Sequence, residues 1–206
     1  MALSPAVERE LQHTRRFDFK GFARKDGLWD IEGHMTDTKP YGFPNDFRGY
    51  IEADEPLHDM WIRLTIDEEF LVHAIEAVTD AGPYQICPAI TPNFQKVVGL
   101  RIGPGWRQKL RGKVGGVEGC THLVEMLTAM ATVAYQTLYP TLAKKRRESS
   151  PPEKPSKPPL LDSCHTFRSD GEVARTSWPA FYTGDKKTGD KETGDKETGN
   201  KETVGE

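Results

Sequence analysis

The chain has 206 residues, of which 36% are hydrophobic, and a formal net charge of -3 from 28 basic and 31 acidic residues. This length suffices for one domain with a substantial core, and the low apolar fraction indicates that part of the chain lies outside that core. The near balance of charges disfavours binding to nucleic acid. The sequence shows neither an apolar signal segment nor a run of about 18 apolar residues, so we expect a cytoplasmic protein that does not enter a membrane.

Two β-hairpins are predicted in the N-terminal half. Residues 16–24 alternate between charged and apolar side chains, the alternation resumes over residues 28–35, and Asp26-Gly27 between them is a strong hairpin signal. Residues 60–66 and 70–78 form a second pair of the same kind. These patterns predict an antiparallel sheet.

The rest of the core domain is predicted to be helical. The segment between the hairpins, residues 39–56, has prolines and glycines without a sustained period and is expected to be a long loop. Short helical pieces follow from Pro83, and then one long helix from Thr121 to about Lys144 with apolar residues at helical spacing. We therefore predict an α+β fold for residues 1–147, in which a sheet from two N-terminal hairpins packs against a helical half with one long C-terminal helix.

Three further segments are predicted after the core domain. Residues 148–159 contain five prolines and form an extended linker. Residues 160–182 carry Trp178 and Phe181, whose burial would hold this segment against the core domain. Residues 183–206 repeat a five-residue unit, as in TGDKE, that offers no apolar side chain, so a disordered tail is expected.

Three cysteines, Cys87, Cys120 and Cys164, carry the groups best suited to chemistry. Their odd number in a chain without an export signal indicates reduced thiols, which are available as metal ligands or nucleophiles. Cys120 is expected at the first turn of the long helix, where the helix dipole lowers the pKa of a thiol and favours the thiolate. His122 can act as its base, and Glu125 is spaced to orient that imidazole.

The histidines of the predicted strands are interpreted by the strand period. His58 and Asp59 open the third strand, where neighbouring side chains point to opposite faces, so only one of the two is expected in any given site. His73 shares a strand face with apolar residues and is expected to be a buried core histidine. His34 shares its face with two acidic residues, which is typical of the solvated side of a hairpin.

A set of short segments runs through the chain in an order that a known family shares. These segments are residues 26–32, 36–41, 58–60, 83–84, 87–88, 100–106, 115–116, 119–123, 163–165 and 169–173. Taken together they resemble the bacterial family called domain of unknown function 2889, over about residues 15–182. The resemblance implies no known activity.

A second resemblance concerns the U-type iron–sulfur cluster scaffolds. In that family three features follow one another along the chain: an aspartate before a methionine-containing strand, a cysteine after the sheet, and a cysteine that opens a long helix. Asp59, Cys87 and Cys120 lie in the same order here. Leu57 stands where the first cysteine of the family would be, and Gly119 replaces the histidine before the third. The resemblance therefore implies a zinc or iron site with mixed ligands rather than a labile cluster.

Three functions remain open from the sequence. The favoured one is a metal- or thiol-dependent protein that binds zinc or iron, and its implied ligands are Asp59, Cys87, Cys120, His122, Cys164 and His165. The second is an enzyme in which Cys120 attacks an acyl or thioester group with His122 as base. The third is a non-catalytic accessory or binding module, in which the cysteines only pack. The partner would be a small molecule or a protein.

Overall fold

The computed structural model describes residues 3–149 and 156–184 of the chain. The chain divides into two compact units, Met1–Glu148 and Ser149–Glu206. Half of the predicted linker, residues 150–155, and the predicted tail beyond residue 184 lie outside the described residues. Within the described ranges, no helix is both long enough and apolar enough to cross a membrane.

The first unit is built on a four-stranded antiparallel sheet with the strand order β1-β2-β5-β6, and β3 and β4 form a separate pair. The strands are β1 (Thr14–Ala23), β2 (Trp29–Thr38), β3 (Phe43–Asn45), β4 (Gly49–Ile51), β5 (His58–Ile66) and β6 (Val72–Ala81). Both predicted hairpins are confirmed, β1 with β2 and β5 with β6. They lie side by side because β2 pairs with β5.

The central strand β2 shows how the sheet divides into a buried and a solvated face. Ile31, Gly33, Met35 and Asp37 are buried and alternate with half-buried residues. Alternate side chains of an extended strand point to opposite faces, so these four residues share the face that packs against the helices. Asp37 therefore continues a core face as a charged residue, which calls for partners that compensate its burial.

The helical half covers this face of the sheet. Its main elements are a 3-10 helix (Cys87–Val97), α1 (Trp106–Val114) and α2 (Thr121–Glu148). Helix α2 contacts β1, β2 and β5, and its buried residues are Leu123, Met126, Leu127, Met130, Ala134 and Leu138. Trp106 links the two α-helices, because its Nε1 donates a hydrogen bond of 2.9 Å to the carbonyl oxygen of Leu127. The predicted α+β fold and its long helix are confirmed.

The segment between the hairpins is not the plain loop that we predicted. It contains the short hairpin of β3 and β4, whose turn is closed by Asn45. The side-chain oxygen of Asn45 accepts hydrogen bonds from the backbone N–H groups of Phe47 (3.0 Å) and Arg48 (2.9 Å), and Gly49 adopts a φ of 78°. Strands of three residues are too short to show an alternating pattern, so the period could not indicate them.

The expectation of a buried His73 was wrong. His73 is exposed, and its Nε2 lies 2.8 Å from Oδ2 of Asp67. The pairing of β5 with β6 shifts register between Thr65 and Ile66. A β-bulge of this kind changes which face the following side chains occupy, and it cannot be located from hydrophobic alternation.

The second unit contains three short helical segments, which are His165–Phe167 (3-10), α3 (Glu172–Ser177) and Pro179–Phe181 (3-10). Asp162 holds the turn before α3, since its Oδ1 accepts the backbone N–H of Ser169 at 2.8 Å. The rings of Phe167 and Trp178 pack with their centroids 5.6 Å apart. The expectation that residues 160–182 dock on the core domain stays a prediction.

Candidate functional site

A buried carboxylate lies near the end of β2. The side chain of Asp37 is only 2% exposed and accepts four hydrogen bonds, from His13 Nε2 (3.0 Å), Arg15 Nε and Nη2 (both 2.8 Å) and His58 Nδ1 (2.9 Å). An ionised carboxylate can only accept, so each of these nitrogens donates, and this identifies the protonated ring nitrogen of His13 and of His58. The lone pairs of both carboxylate oxygens are fully used.

The surroundings of Asp37 keep it charged. Burial alone would raise the pKa of its carboxyl group, but the hydrogen bonds and charge of Arg15, with smaller contributions from His58 and His13, lower that pKa to about 2. Asp37 is therefore a carboxylate at every physiological pH. A fixed negative charge at this position can orient imidazoles or neutralise a cation.

The register of three strands brings this cluster together. Strand β1 places Arg15 directly opposite Asp37, and β5 places His58 opposite the same residue from the other side. Residues that are directly opposite in antiparallel strands point to the same face with their Cβ atoms about 5 Å apart. The central strand thus carries the carboxylate, and its two neighbours carry the donors.

Helix α2 adds a second imidazole to the cluster. His122 lies in the first turn of α2, and its ring centroid is 4.1 Å from that of His58. Burial lowers the pKa of both histidines; the proximity of His122 lowers that of His58 further, and the charge of Arg15 lowers that of His122 further. Both imidazoles are therefore neutral at pH 7, which is the form that binds a metal or accepts a proton.

Asp37, His58 and His122 meet the distance requirement of a metal site. Each offers one ligand atom, and these atoms all lie within 4.8 Å of one another. In the part of the chain that the structure describes, no other group of three or more His, Cys, Asp or Glu side chains meets this requirement. Two imidazoles and one carboxylate are a ligand set of catalytic zinc and non-haem iron sites.

Cys120 lies beside this cluster, at the residue before α2. Its Sγ is 3.7 Å from Nδ1 of His122, and its carbonyl oxygen accepts the N–H of Val124 at 3.0 Å. Glu125 does not orient His122 as we had expected, because its Oε2 accepts a hydrogen bond of 2.8 Å from Nη1 of Arg15. The structure thus brings Cys120 and His122 together and connects Glu125 to the same network through Arg15.

An open cleft of about 380 Å³ lies next to Cys120, between α1 and the start of α2. Its polar lining includes Cys120, Thr121 and Glu125 from the α2 side and Arg107 and Arg111 from α1. Cys120 therefore borders both the half-buried His122 and this cleft.

Asp59, a predicted ligand, lies on the opposite face of the sheet from His58. Its Oδ1 is 2.7 Å from Nε2 of His34, and the His34 ring stacks on Trp61 with the centroids 3.7 Å apart. The strand period had indicated that only one residue of the His58-Asp59 pair would enter a site. The residue that enters the cluster is His58.

Cys87, another predicted ligand, is not part of the cluster of Asp37, His58 and His122. Cys87 is half-buried at the start of its 3-10 helix and packs close to Gly82. Cys164 and His165 belong to the second unit, where both side chains are exposed. All three cysteines of the chain are free. Their roles as ligands stay predictions.

Comparison with known proteins identifies the family. The model of the family described as "Protein of unknown function (DUF2889)" matches residues 13–136. The chain belongs to this family. The matched DUF2889 region begins at His13 and extends beyond Glu125, so it contains the entire cluster. No curated protein and no solved structure is significantly similar to the chain.

Sequence reasoning missed three members of the cluster, His13, Arg15 and Asp37. The predicted second strand ended at Met35, although Asp37 continues its alternation by one further step. A charged residue in phase with a buried strand face, opposite an arginine on the neighbouring strand, is a detectable signal for a buried ion pair. The contact with His122 joins a strand to a helix far along the chain and leaves no local signal.

Proposed function

We propose that this DUF2889 protein binds one divalent transition-metal ion, zinc or ferrous iron, through Asp37, His58 and His122. The observation that carries the proposal is the separation of at most 4.8 Å between the three ligand atoms. Neutral histidines support it, because no proton has to be removed from them before the metal binds. Three protein ligands leave a coordination position for water or a substrate, as in catalytic metal sites.

The hydrogen bonds of Asp37 determine how a metal would enter. Because four donors already use its oxygens, the metal has to displace one of them. His58 is the donor that can give way, since a neutral imidazole can move its proton to the other ring nitrogen, whereas Arg15 keeps all its protons. Arg15 and His13 would then hold the ligating carboxylate from behind. The positive charge of Arg15 makes us expect weaker binding than at a structural zinc site.

Calorimetric titration tests the metal proposal. The full-length protein, first treated with chelator, is titrated with Zn²⁺ and, without oxygen, with Fe²⁺. We expect one site, and we expect His58→Ala and His122→Ala each to weaken binding by about tenfold or more, because even the loss of an outer partner costs about 10–100-fold.

Two variants on the opposite face of the sheet serve as matched controls. His34 and Asp59 form a histidine–carboxylate pair of their own at 2.7 Å, so His34→Ala and Asp59→Ala remove the same groups without touching the cluster. We expect both to bind the metal like the unaltered protein. The proposal fails if the unaltered protein binds neither metal, or if the control variants lose as much affinity as the cluster variants.

The position of Cys120 supports a second function, in which its thiol acts as a nucleophile on an acyl or thioester group. The observation in its favour is the 3.7 Å contact with Nδ1 of His122 beside the open cleft. In chelator-treated protein, iodoacetamide should alkylate Cys120 faster than the exposed Cys164, and His122→Ala should abolish the difference. If Cys120 reacts no faster than Cys164, this candidate is excluded.

The proposal includes a cytoplasmic location, which three free cysteines support. If the protein fails both tests, the accessory-module interpretation remains. The cluster of Asp37 would then be a structural ion-pair network.

A further inference from the structure

We infer that the cleft between α1 and α2 binds a small molecule that carries a phosphate or carboxylate group, through Arg107 and Arg111. Both arginines line the cleft. This inference does not depend on the metal, because neither arginine belongs to the cluster of Asp37, His58 and His122.

The two arginines of the cleft lack a partner in the first unit. Among the described residues of the first unit, 3–148, neither Arg107 nor Arg111 forms a side-chain hydrogen bond or ion pair. They are spaced four residues apart on α1, so their charges repel each other on one face of the helix. A bound anion relieves this repulsion, and the guanidinium group matches the geometry of phosphate and carboxylate oxygens.

The charge of the cleft as a whole also favours an anion. Glu125 is the acidic residue in its lining, and it already accepts a 2.8 Å hydrogen bond from Arg15. The two arginines outnumber this carboxylate, so the lining carries a net positive charge. The start of α2 adds to this field, since Thr121 lines the cleft at the positive end of the helix dipole.

The glycine turn before α2, residues 115–119, uses three of its N–H groups within the backbone. The N–H groups of Gly115, Glu118 and Gly119 donate to carbonyl oxygens within this turn and the end of α1. A Cβ added at Gly119 would lie 1.9 Å from the carbonyl oxygen of Val114, so glycine is required there for packing alone. The recognition of the anion thus depends on the arginines.

Helix α1 provides a charge-matched control. Lys109 and Lys113 are also exposed and four residues apart on α1, but they are not part of the cleft lining. Each pair of substitutions, Arg107→Gln with Arg111→Gln or Lys109→Gln with Lys113→Gln, therefore removes the same charge from exposed positions of the same helix. A loss that is specific to the arginine pair reports the cleft and not the general field of the protein.

The test is a titration of chelator-treated, full-length protein at constant ionic strength with inorganic phosphate and, separately, with acetate. We expect saturable binding of at least one anion. The anion that binds with the higher affinity identifies whether the natural ligand carries a phosphate or a carboxylate. The arginine pair variant should lose about tenfold or more in affinity, because hydrogen bonds to charged groups are lost. The lysine pair variant should stay within about twofold.

Alkylation of Cys120 locates the site within the protein. Iodoacetate and iodoacetamide react alike, by displacement of iodide from carbon by the thiolate, but only iodoacetate is an anion. The rate with iodoacetate divided by the rate with iodoacetamide at Cys120 should fall in the arginine pair variant and stay unchanged in the lysine pair variant. Cys164 serves as an internal reference. The inference is overturned if the protein binds neither anion saturably, or if both pair variants weaken binding equally.

Discussion

At the scale of single residues, Asp37 organises the site. It is a buried charge whose cost is compensated by four hydrogen bonds from three side chains, and it fixes the orientation of His58 through Nδ1. Removal of one partner from a buried charged network is far more costly than loss of a surface ion pair. The same carboxylate therefore supports both the fold and the arrangement of the imidazoles.

Acid sensitivity should report this role of Asp37 in metal-free protein. Its pKa is lowered from the ordinary value of 3.8 to about 2 in the folded state. A carboxyl group whose pKa is lowered in the folded state stabilises the fold at pH values above its ordinary pKa. For Asp37 this contribution to the free energy of unfolding is about 2 kcal/mol, and it is lost as the pH falls from about 4 to about 2. We expect Asp37→Asn to lack this part of the pH dependence when urea unfolding is measured at pH 6, 4 and 2.

All other carboxyl groups titrate in both proteins, so the difference between the two curves isolates Asp37. Parallel curves for Asp37→Asn and the unaltered protein would show that Asp37 titrates normally in the folded state.

The sequence predicted some of these residues for a physical reason. Cys120 and His122 flank Thr121, the first residue of a long amphipathic helix. Their placement at its N-terminus therefore follows from helix periodicity. The alternation of a strand shows that His58 and Asp59 diverge, but it does not show which of them faces the helices. That choice depends on the register with β2, which is fixed by tertiary packing.

At the scale of elements, the site depends on the close packing of α2 against the sheet. Gly21 of β1 allows this approach, because a Cβ there would lie 2.0 Å from Oγ1 and 2.7 Å from Cβ of Thr137. Rotation of the threonine side chain cannot remove the second contact. A larger residue at position 21 would push β1, and with it Arg15, away from the helix.

Two glycine-to-alanine substitutions should have opposite effects. Gly21→Ala should destabilise the protein by about 1–3 kcal/mol through overpacking. Gly112→Ala, at an exposed position of helix α1 with no atom near the added Cβ, should stabilise it by up to about 1 kcal/mol, because alanine has the higher helix propensity. Thermal denaturation of both variants measures the difference. Equal melting temperatures would show that β1 does not pack tightly on α2.

Long elements were predictable from their periodicity, and short ones were not. Strands of nine or ten residues and a helix of 28 residues carry enough repeats to define their faces. The β3–β4 hairpin depends on the side chain of Asn45, and the face of His73 depends on a bulge. Both are local geometric features that hydrophobic patterning does not contain.

At the scale of the whole molecule, the family match and the site coincide. The matched residues 13–136 include every residue of the cluster and both arginines of the cleft, whereas the second unit begins at Ser149. Both proposed sites therefore lie in the first unit. Cys164 and His165, which we had predicted as further ligands, are not required by the site as proposed.

X-ray absorption spectroscopy of the zinc-loaded, full-length protein tests the central claim most directly. The ligands proposed from the structure are two imidazoles and a carboxylate, so the account predicts nitrogen and oxygen neighbours at about 2.0–2.2 Å with the multiple scattering typical of imidazole. This signal should disappear in the His58→Ala/His122→Ala variant and persist in His34→Ala. A first shell dominated by sulfur at about 2.3 Å, or no bound zinc, would contradict the assignment of Asp37, His58 and His122 as the metal site.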